Sequence, residues 1–180
     1  VLSINVHQQQ AWALRAVIAH LKGQFEKEAL LRAAALSTWS DNPAVDHLIG
    51  KKLSQKYRFK EGAEYQRKAL ELDPKFARAR FQLAQDLLRL GNEDVGWEVA
   101  RLAAEQDEYN VVASNLLTLR ERIKGFSVLE ADGIQVRMDS TEASIYGPAV
   151  IELLSEAKRT LCEKYGVKPR EPIVVEIFPE

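Results

Sequence analysis

Apolar residues recur with helical spacing through the first two thirds of the chain and with a period of two after Gly125. Val45, Leu48, Ile49 and Leu53 form one stripe, and Phe81, Leu83, Ala84 and Leu87 form another. Between them, FKEGAEYQRKALELDP runs from Phe59 to Pro74. Its small residues Gly62, Ala63 and Ala69 let two helices approach closely, the bulky Phe59, Tyr65, Leu70 and Leu72 fill the space between them, and Asp73-Pro74 stops the helix. Val112, Leu116, Leu119 and Ile123 share a further helical face, with Arg120, Glu121, Arg122 and Lys124 mostly on another, which predicts a capping helix ending at Gly125.

Beyond Gly125, Phe126 and Val128, then Ile134, Val136 and Met138, alternate with polar residues, and Asp132-Gly133 between them is a two-residue turn signal, so a hairpin is expected. Asp139 with Glu142 resembles a helix-start pair. From there to Tyr165 the pattern predicts a long helix with Ala149, Val150, Leu153, Leu154, Ala157, Leu161 and Tyr165 facing inward. Gly147-Pro148 should kink that helix or start it. Gly166 ends it, and IVVEIF, from Ile173 to Phe178, reads as a third strand. The helix is longer than such strands, so it should overhang the sheet.

An offset of 34 residues aligns Gly23 with Tyr57 and Gly91, Phe25 with Phe59, Ala16 with Gly50 and Ala84, and Ala35 with Ala69 and Ala103. Gly62 aligns with Gly96, and Ile49 with Leu83. With this period and small residues where paired helices touch, residues 9–110 resemble tetratricopeptide (TPR) repeats. The fold class expected is mostly α: a TPR-like solenoid of three helical hairpins and a capping helix over residues 1–125, then a small α+β segment over 126–180. Gly91 is read as a helix stop and Asn92 as the next cap, with Trp12 and Trp39 as packing residues. Departures from the family pattern are Asp46 and Arg80 at tryptophan positions, Arg15 at a core position and Ser40 at a proline site.

The resemblance implies a concave groove, lined by the first helix of each pair, in which a protein or peptide segment docks. Carrying the groove positions over gives His47, Lys51 and Gln55 in the second copy, Arg78, Phe81, Gln85 and Arg89 in the third, and Gln10, Ala13, Val17 and Leu21 in the first. Basic and amide groups around one aromatic suit an acidic peptide. One subclass of the family clamps chaperone C-terminal carboxylates, but Ala13, Val17, Leu48 and Gln82 stand where its polar and basic groups belong, leaving Arg78 alone suitable. A chaperone-tail receptor is therefore not expected.

Charge and composition narrow the partners. The formal net charge is −1, which gives no general attraction to nucleic acid. Residues 1–125 hold 19 Lys and Arg against 16 Asp and Glu, or +3, and residues 126–180 hold 6 against 10, or −4, a contrast that also divides the chain near Gly125. No apolar run approaches the roughly 20 residues of a membrane span. The chain begins at Val1, with no basic flank and apolar core of a signal peptide, and both of its ends read as cut points. The single cysteine, Cys162, excludes an intrachain disulfide and reads as a structural residue beside the apolar stripe of its helix. Glu152, Glu156 and Glu163 read as a solvated face matched by Lys158, Arg159 and Lys164, and His7, His20 and His47 as isolated solvent-facing residues.

The stretch FSVLEADGIQVRMD and the later YGPAVIELLSEAKRTLCEKYGVKPREPIVVEIFPE look like the beginning of the peptidase-MA-like (gluzincin) domain found after TPR repeats in some bacterial proteins. The resemblance rests on Met138-Asp139, Tyr165-Gly166, Lys168-Pro169, Glu171-Pro172 and Phe178-Pro179. That family's zinc chemistry needs HExxH on a helix, two His one turn apart on the metal and a Glu on its water. None of the three histidines is followed by Glu, so no cofactor and no catalytic residue is expected in this chain; zinc and a metallopeptidase activity would belong to a parent protein continuing past residue 180. Self-association through the edge strand at residues 173–178 is a further expectation.

Overall fold

A computed structural model describes residues 1–179. The chain divides into two compact units, Val1–Leu117 and Thr118–Glu180. The first contains α1 (Gln9–Leu21), α2 (Phe25–Leu36), α3 (Pro43–Ser54), α4 (Phe59–Leu72), α5 (Ala77–Arg89) and α6 (Glu93–Gln106), paired as successive hairpins α1/α2, α3/α4 and α5/α6. The next helix, α7 (Val111–Ile123), starts in this unit and ends in the second. The fold is a helical-hairpin stack with a small three-stranded sheet after it.

The first helix of each hairpin ends in the same way because the chain reverses there in the left-handed region. Gly23, Tyr57 and Gly91 have φ of 69°, 60° and 76°. In each case the following amide reaches back across the turn: Gln24 N to Ala19 O at 2.9 Å, Arg58 N to Leu53 O at 3.1 Å, and Asn92 N to Leu87 O at 3.0 Å. Each of these bonds satisfies a carbonyl left over at a helix end. The 34-residue repeat is thus a repeat of backbone hydrogen bonds as well as of side chains.

Close contact between helices falls at the small residues. Ala16, Gly50 and Ala84 are all fully buried, as are Ala35, Ala69 and Ala103. One core cluster gathers Val17, Leu31, Val45, Ile49, Leu53 and Tyr65, and a second gathers Ala63, Leu83 and Leu87. Trp12 packs against the first and donates its indole N–H to Val6 O at 2.7 Å. Trp39 does not pack; it is 57% exposed in the turn before α3, where Asn42-Pro43 starts the helix. Arg15 avoids the core by turning outward, its guanidinium 4.9 Å from the Trp12 ring centre. Asn92 precedes α6 without a side-chain capping bond, whereas Asn42 Oδ1 accepts from Ala44 N at 3.0 Å. On α7, Ala113 is the buried residue, Leu116, Leu119 and Ile123 are half-buried and Val112 is exposed, so the predicted face is displaced at its first turn.

In the second unit, β1 (Ser127–Ala131) and β2 (Ile134–Met138) form the hairpin, with Asp132 and Gly133 at φ 51° and 71°. Both positive values match a turn whose twist fits a β-ribbon. Strand β3 (Ile173–Ile177) pairs parallel with β2 in the order β1-β2-β3, Ile134 opposite Ile173 and Met138 opposite Ile177. The inward residue of β1 is Leu129, and Val128 points outward, 53% exposed, because a period-two pattern admits either phase.

Helix α8 (Ser140–Tyr165) starts where the sequence predicts, with Asp139 Oδ1 accepting from Thr141 N at 2.9 Å and Glu142 N at 3.3 Å. It neither begins nor ends at Pro148. The carbonyl that loses its donor to the proline belongs to Ser144 on the exposed side, where water can satisfy it. Its inward face is Ala143, Gly147, Val150, Ile151 and Leu154; Val150 and Leu154 lie there as the pattern predicts, whereas the predicted Ala149, Leu153, Leu161 and Tyr165 are exposed. Gly147 sets this phase: a Cβ there would lie 2.6 Å from Leu129 Cδ1, so the helix touches β1 at its glycine. A helix of 26 residues is about 39 Å long and a five-residue strand about 17 Å, so the C-terminal turns run past the sheet. Leu161 and Tyr165 accordingly remain 50% and 64% exposed.

Candidate peptide-binding groove

The residues predicted for the groove are positioned by polar pairs between helices. Asn42 Nδ2 donates to Gln9 Oε1 at 2.6 Å, tying the start of α3 to α1. On α3, His47 Nδ1 lies 2.8 Å from Gln66 Oε1, and Gln66 Nε2 donates to the His47 carbonyl at 3.3 Å. An amide oxygen only accepts, so Nδ1 carries the proton in this arrangement. The ring also meets Phe76 edge-on, 5.6 Å between centres. Burial lowers the His47 pKa below its ordinary value; the Gln66 hydrogen bond opposes that, and Lys51 and Arg78 add to it.

Two turns further along α3, Ser54 Oγ lies 2.8 Å from Asp86 Oδ2 and 3.0 Å from Gly50 O, while Gln82 Nε2 donates to Asp86 Oδ1 at 3.0 Å. Asp86 is completely buried, and burial raises its pKa against those two hydrogen bonds and the nearby Arg89. It joins α5 to α3 beneath the surface.

Above this layer lie two clefts. One, between α1 and α3 and reaching α5, is lined by Gln10, Leu14, His47, Lys51, Lys52 and Arg78 among others. The second, between α3 and α5, is lined by Lys51, Gln55, Tyr57, Phe59, Gln85 and Arg89 together with Ser54 and Gln82. Lys51 lines both. Neither cleft has an Asp or Glu on its wall. Arg89 stacks over Phe59 with its guanidinium carbon 5.2 Å from the ring centre, and Phe59 meets Tyr57 edge-on at 5.9 Å.

Six of the seven groove residues predicted in the second and third copies therefore line these clefts, and Phe81 lines neither. The first copy differs from expectation. Ala13 and Val17 are buried in the core at 0% and 6% exposure, and the side of α1 that meets the cleft runs through Gln10 and Leu14. Leu21 lies on a separate cleft beside His20 and Phe25.

His20 and His47 are half-buried and hydrogen-bonded rather than isolated on a solvent-facing side, while His7 is exposed. His20 Nδ1 lies 2.9 Å from Glu28 Oε2, and the other oxygen of that buried carboxylate accepts from Tyr65 OH. Burial raises the Tyr65 pKa, with the Glu28 hydrogen bond and charge adding to it. Arg32 holds Asp46, completely buried, through two bonds of 2.5 Å. Sequence reading missed these buried pairs; their one signal was an Asp at residue 46 within an apolar stripe. Among the described residues no group of three or more His, Cys, Asp or Glu could hold a metal ion. No helix among them is long and apolar enough to cross a membrane.

No protein-family profile matches the chain, and no curated protein does. Among solved structures, it is similar to one described as the first TPR of Spaghetti (RPAP3) bound to an HSP90 peptide, SRMEEVD. The TM-score is 0.50 and the identity 11%, covering 64% of this chain and 94% of that chain. The fold is TPR-like. None of these comparisons supports the peptidase-MA-like reading of the C-terminal stretch.

Proposed function

We propose that this protein is an interaction scaffold that holds a carboxylate-bearing peptide segment along the groove of α1, α3 and α5. The observation that carries the reading is the pair of adjoining clefts: Lys51, Lys52, Arg78 and Arg89 converge on walls that contain no carboxylate. Among the described residues none of these four forms an ion pair. Cations gathered on one concave surface repel one another and gain when an anionic ligand neutralises them. Because packed helices hold the groove in place, little ordering cost falls on the scaffold when a peptide docks. The fold neighbour also holds a peptide, one with two Glu and one Asp, which is in keeping with this reading. Ala13 and Val17 remain unsuited to a chaperone-tail clamp.

The test is fluorescence anisotropy with a labelled acidic heptapeptide and its amide counterpart, in which Gln and Asn replace the acids. Lys51→Glu with Arg78→Glu should weaken binding of the acidic peptide by roughly tenfold or more, with little change in melting temperature, since both side chains are exposed. Equal binding by the double variant, or equal binding of the two peptides, refutes the assignment.

A further inference from the structure

The outward side of α8 carries apolar side chains that the sheet leaves uncovered. Tyr146 is 58% exposed and Leu153 66%. Alanines and opposite charges are placed evenly about Leu153. Ala149 and Ala157 stand four residues to either side, Tyr146 and Thr160 seven, and Glu142 and Lys164 eleven. At 100° per residue, offsets of four, seven and eleven return to within about 40° of the same direction, so these pairs share one stripe.

A stripe with an alanine on either side of a central leucine and opposite charges at its two ends is complementary to itself when a second helix runs antiparallel, Tyr146 then lying over the smaller Thr160. We propose that α8 pairs with α8 of a second copy of this chain, about a two-fold axis passing close to Leu153. Ala149 of each copy then faces Ala157 of the other, so the helices approach closely and the two Leu153 side chains meet on the axis. Glu142 meets Lys164 at both ends. A parallel pairing would place Glu142 against Glu142 and Lys164 against Lys164, which repel. The two-fold arrangement uses one patch twice and closes on itself, giving a dimer and no larger assembly. One helix face provides less than the roughly 1,200 Å² of a standard interface, so the association is reversible. It uses none of the groove residues of α1, α3 and α5 and does not depend on the peptide reading.

Sedimentation equilibrium on the full chain tests it, over concentrations from roughly 5 to 500 µM, where a weak interface of this size is populated. A reversible monomer–dimer equilibrium is expected. Leu153→Glu should be monomeric throughout, with unchanged far-UV circular dichroism because Leu153 is exposed in the monomer. Lys164→Glu should weaken the dimer at least severalfold, and adding Glu142→Lys should restore it by exchanging the two charges. That exchange decides the question without Leu153, should its variant fold poorly. A monomer at every concentration, a dimer that Leu153→Glu leaves intact, or a charge exchange that fails to restore association overturns the proposal.

Discussion

The side-chain amide of Gln66 occupies the place that a side chain on residue 50 would need. A Cβ on Gly50 would lie 2.4 Å from Gln66 Nε2, 2.8 Å from Gly62 O and 2.8 Å from Tyr65 Cβ. The same amide holds His47, so the glycine that brings α3 and α4 together also makes room for the group that orients a groove residue.

Gly50→Ala should therefore destabilise the protein even though alanine is the better helix former. The propensity gain is about 1 kcal/mol, whereas a methyl forced against backbone costs about 1–3 kcal/mol, and here two of the three contacts cannot swing away. Chemical denaturation should show a lower midpoint. Adding Gln66→Ala should not restore it, because Gly62 O and Tyr65 Cβ remain in place.

At residue 57 the opposite substitution should help. Tyr57 adopts φ 60° where its counterparts in the adjacent repeats are glycines, and its side chain is 84% exposed. A non-glycine residue in the left-handed region costs about 1–2 kcal/mol. Tyr57→Gly should raise the denaturation midpoint by close to the lower figure after loss of its edge-on contact with Phe59. Gly23→Ala and Gly91→Ala should lower it, and a common response at all three positions would show that the turns are energetically equivalent.

The helical repeat was legible because small residues and a left-handed turn recur at a fixed spacing, and both are dictated by local backbone geometry. The phase of α8 was legible only in part: Val150 and Leu154 face the sheet as the pattern predicts, but Leu153, Leu161 and Tyr165 widen the apolar face to the other side until Gly147 meets Leu129. The clefts along α3 and α5 are lined by side chains the repeat pattern singles out, but on α1 Ala13 and Val17 turn into the core while Gln10 and Leu14 take the cleft. Buried pairs such as Arg32 with Asp46 join residues from different hairpins, and nothing in local periodicity brings such partners together.

Two buried groups should make stability depend on pH with opposite signs. His47 has a folded-state pKa below its ordinary 6.5, so the unfolded chain takes up a proton first; its stabilising effect is complete above pH 6.5 and is lost as pH falls toward the folded value. Asp86 has a folded-state pKa above its ordinary 3.8, so the folded chain holds its proton more tightly, and stability falls as pH rises from 3.8 through the folded value. Asp86→Asn, whose amide can donate to Ser54 and accept from Gln82, should raise the melting temperature at neutral pH and remove that fall. His47→Gln should flatten the decline below pH 6.5 and leave the Asp86 contribution unchanged. Melting curves from about pH 3 to 8 on the wild type and both variants, conditions spanning the two ordinary pKa values, check both signs.

Lys51 lines both clefts, whereas Arg78 lines only the one toward α1 and Arg89 only the one toward α5. If a single acidic peptide runs across both, its carboxylates meet Arg78 and Arg89 at separate points and Lys51 between them. Arg78→Ala and Arg89→Ala should then each cost about 1 kcal/mol of binding, a level usual for an exposed charge contact, and their effects should add. Lys51→Ala should couple to both, the double variants losing less than the sum, because one ammonium supports two neighbouring contacts. Raising the salt concentration should weaken the wild type more than any of the variants, since exposed pairs are screened. A peptide that loses affinity with Arg78→Ala and is indifferent to Arg89→Ala occupies the α1 cleft alone. Titration calorimetry with peptides shortened from either end would identify which carboxylates remain in contact.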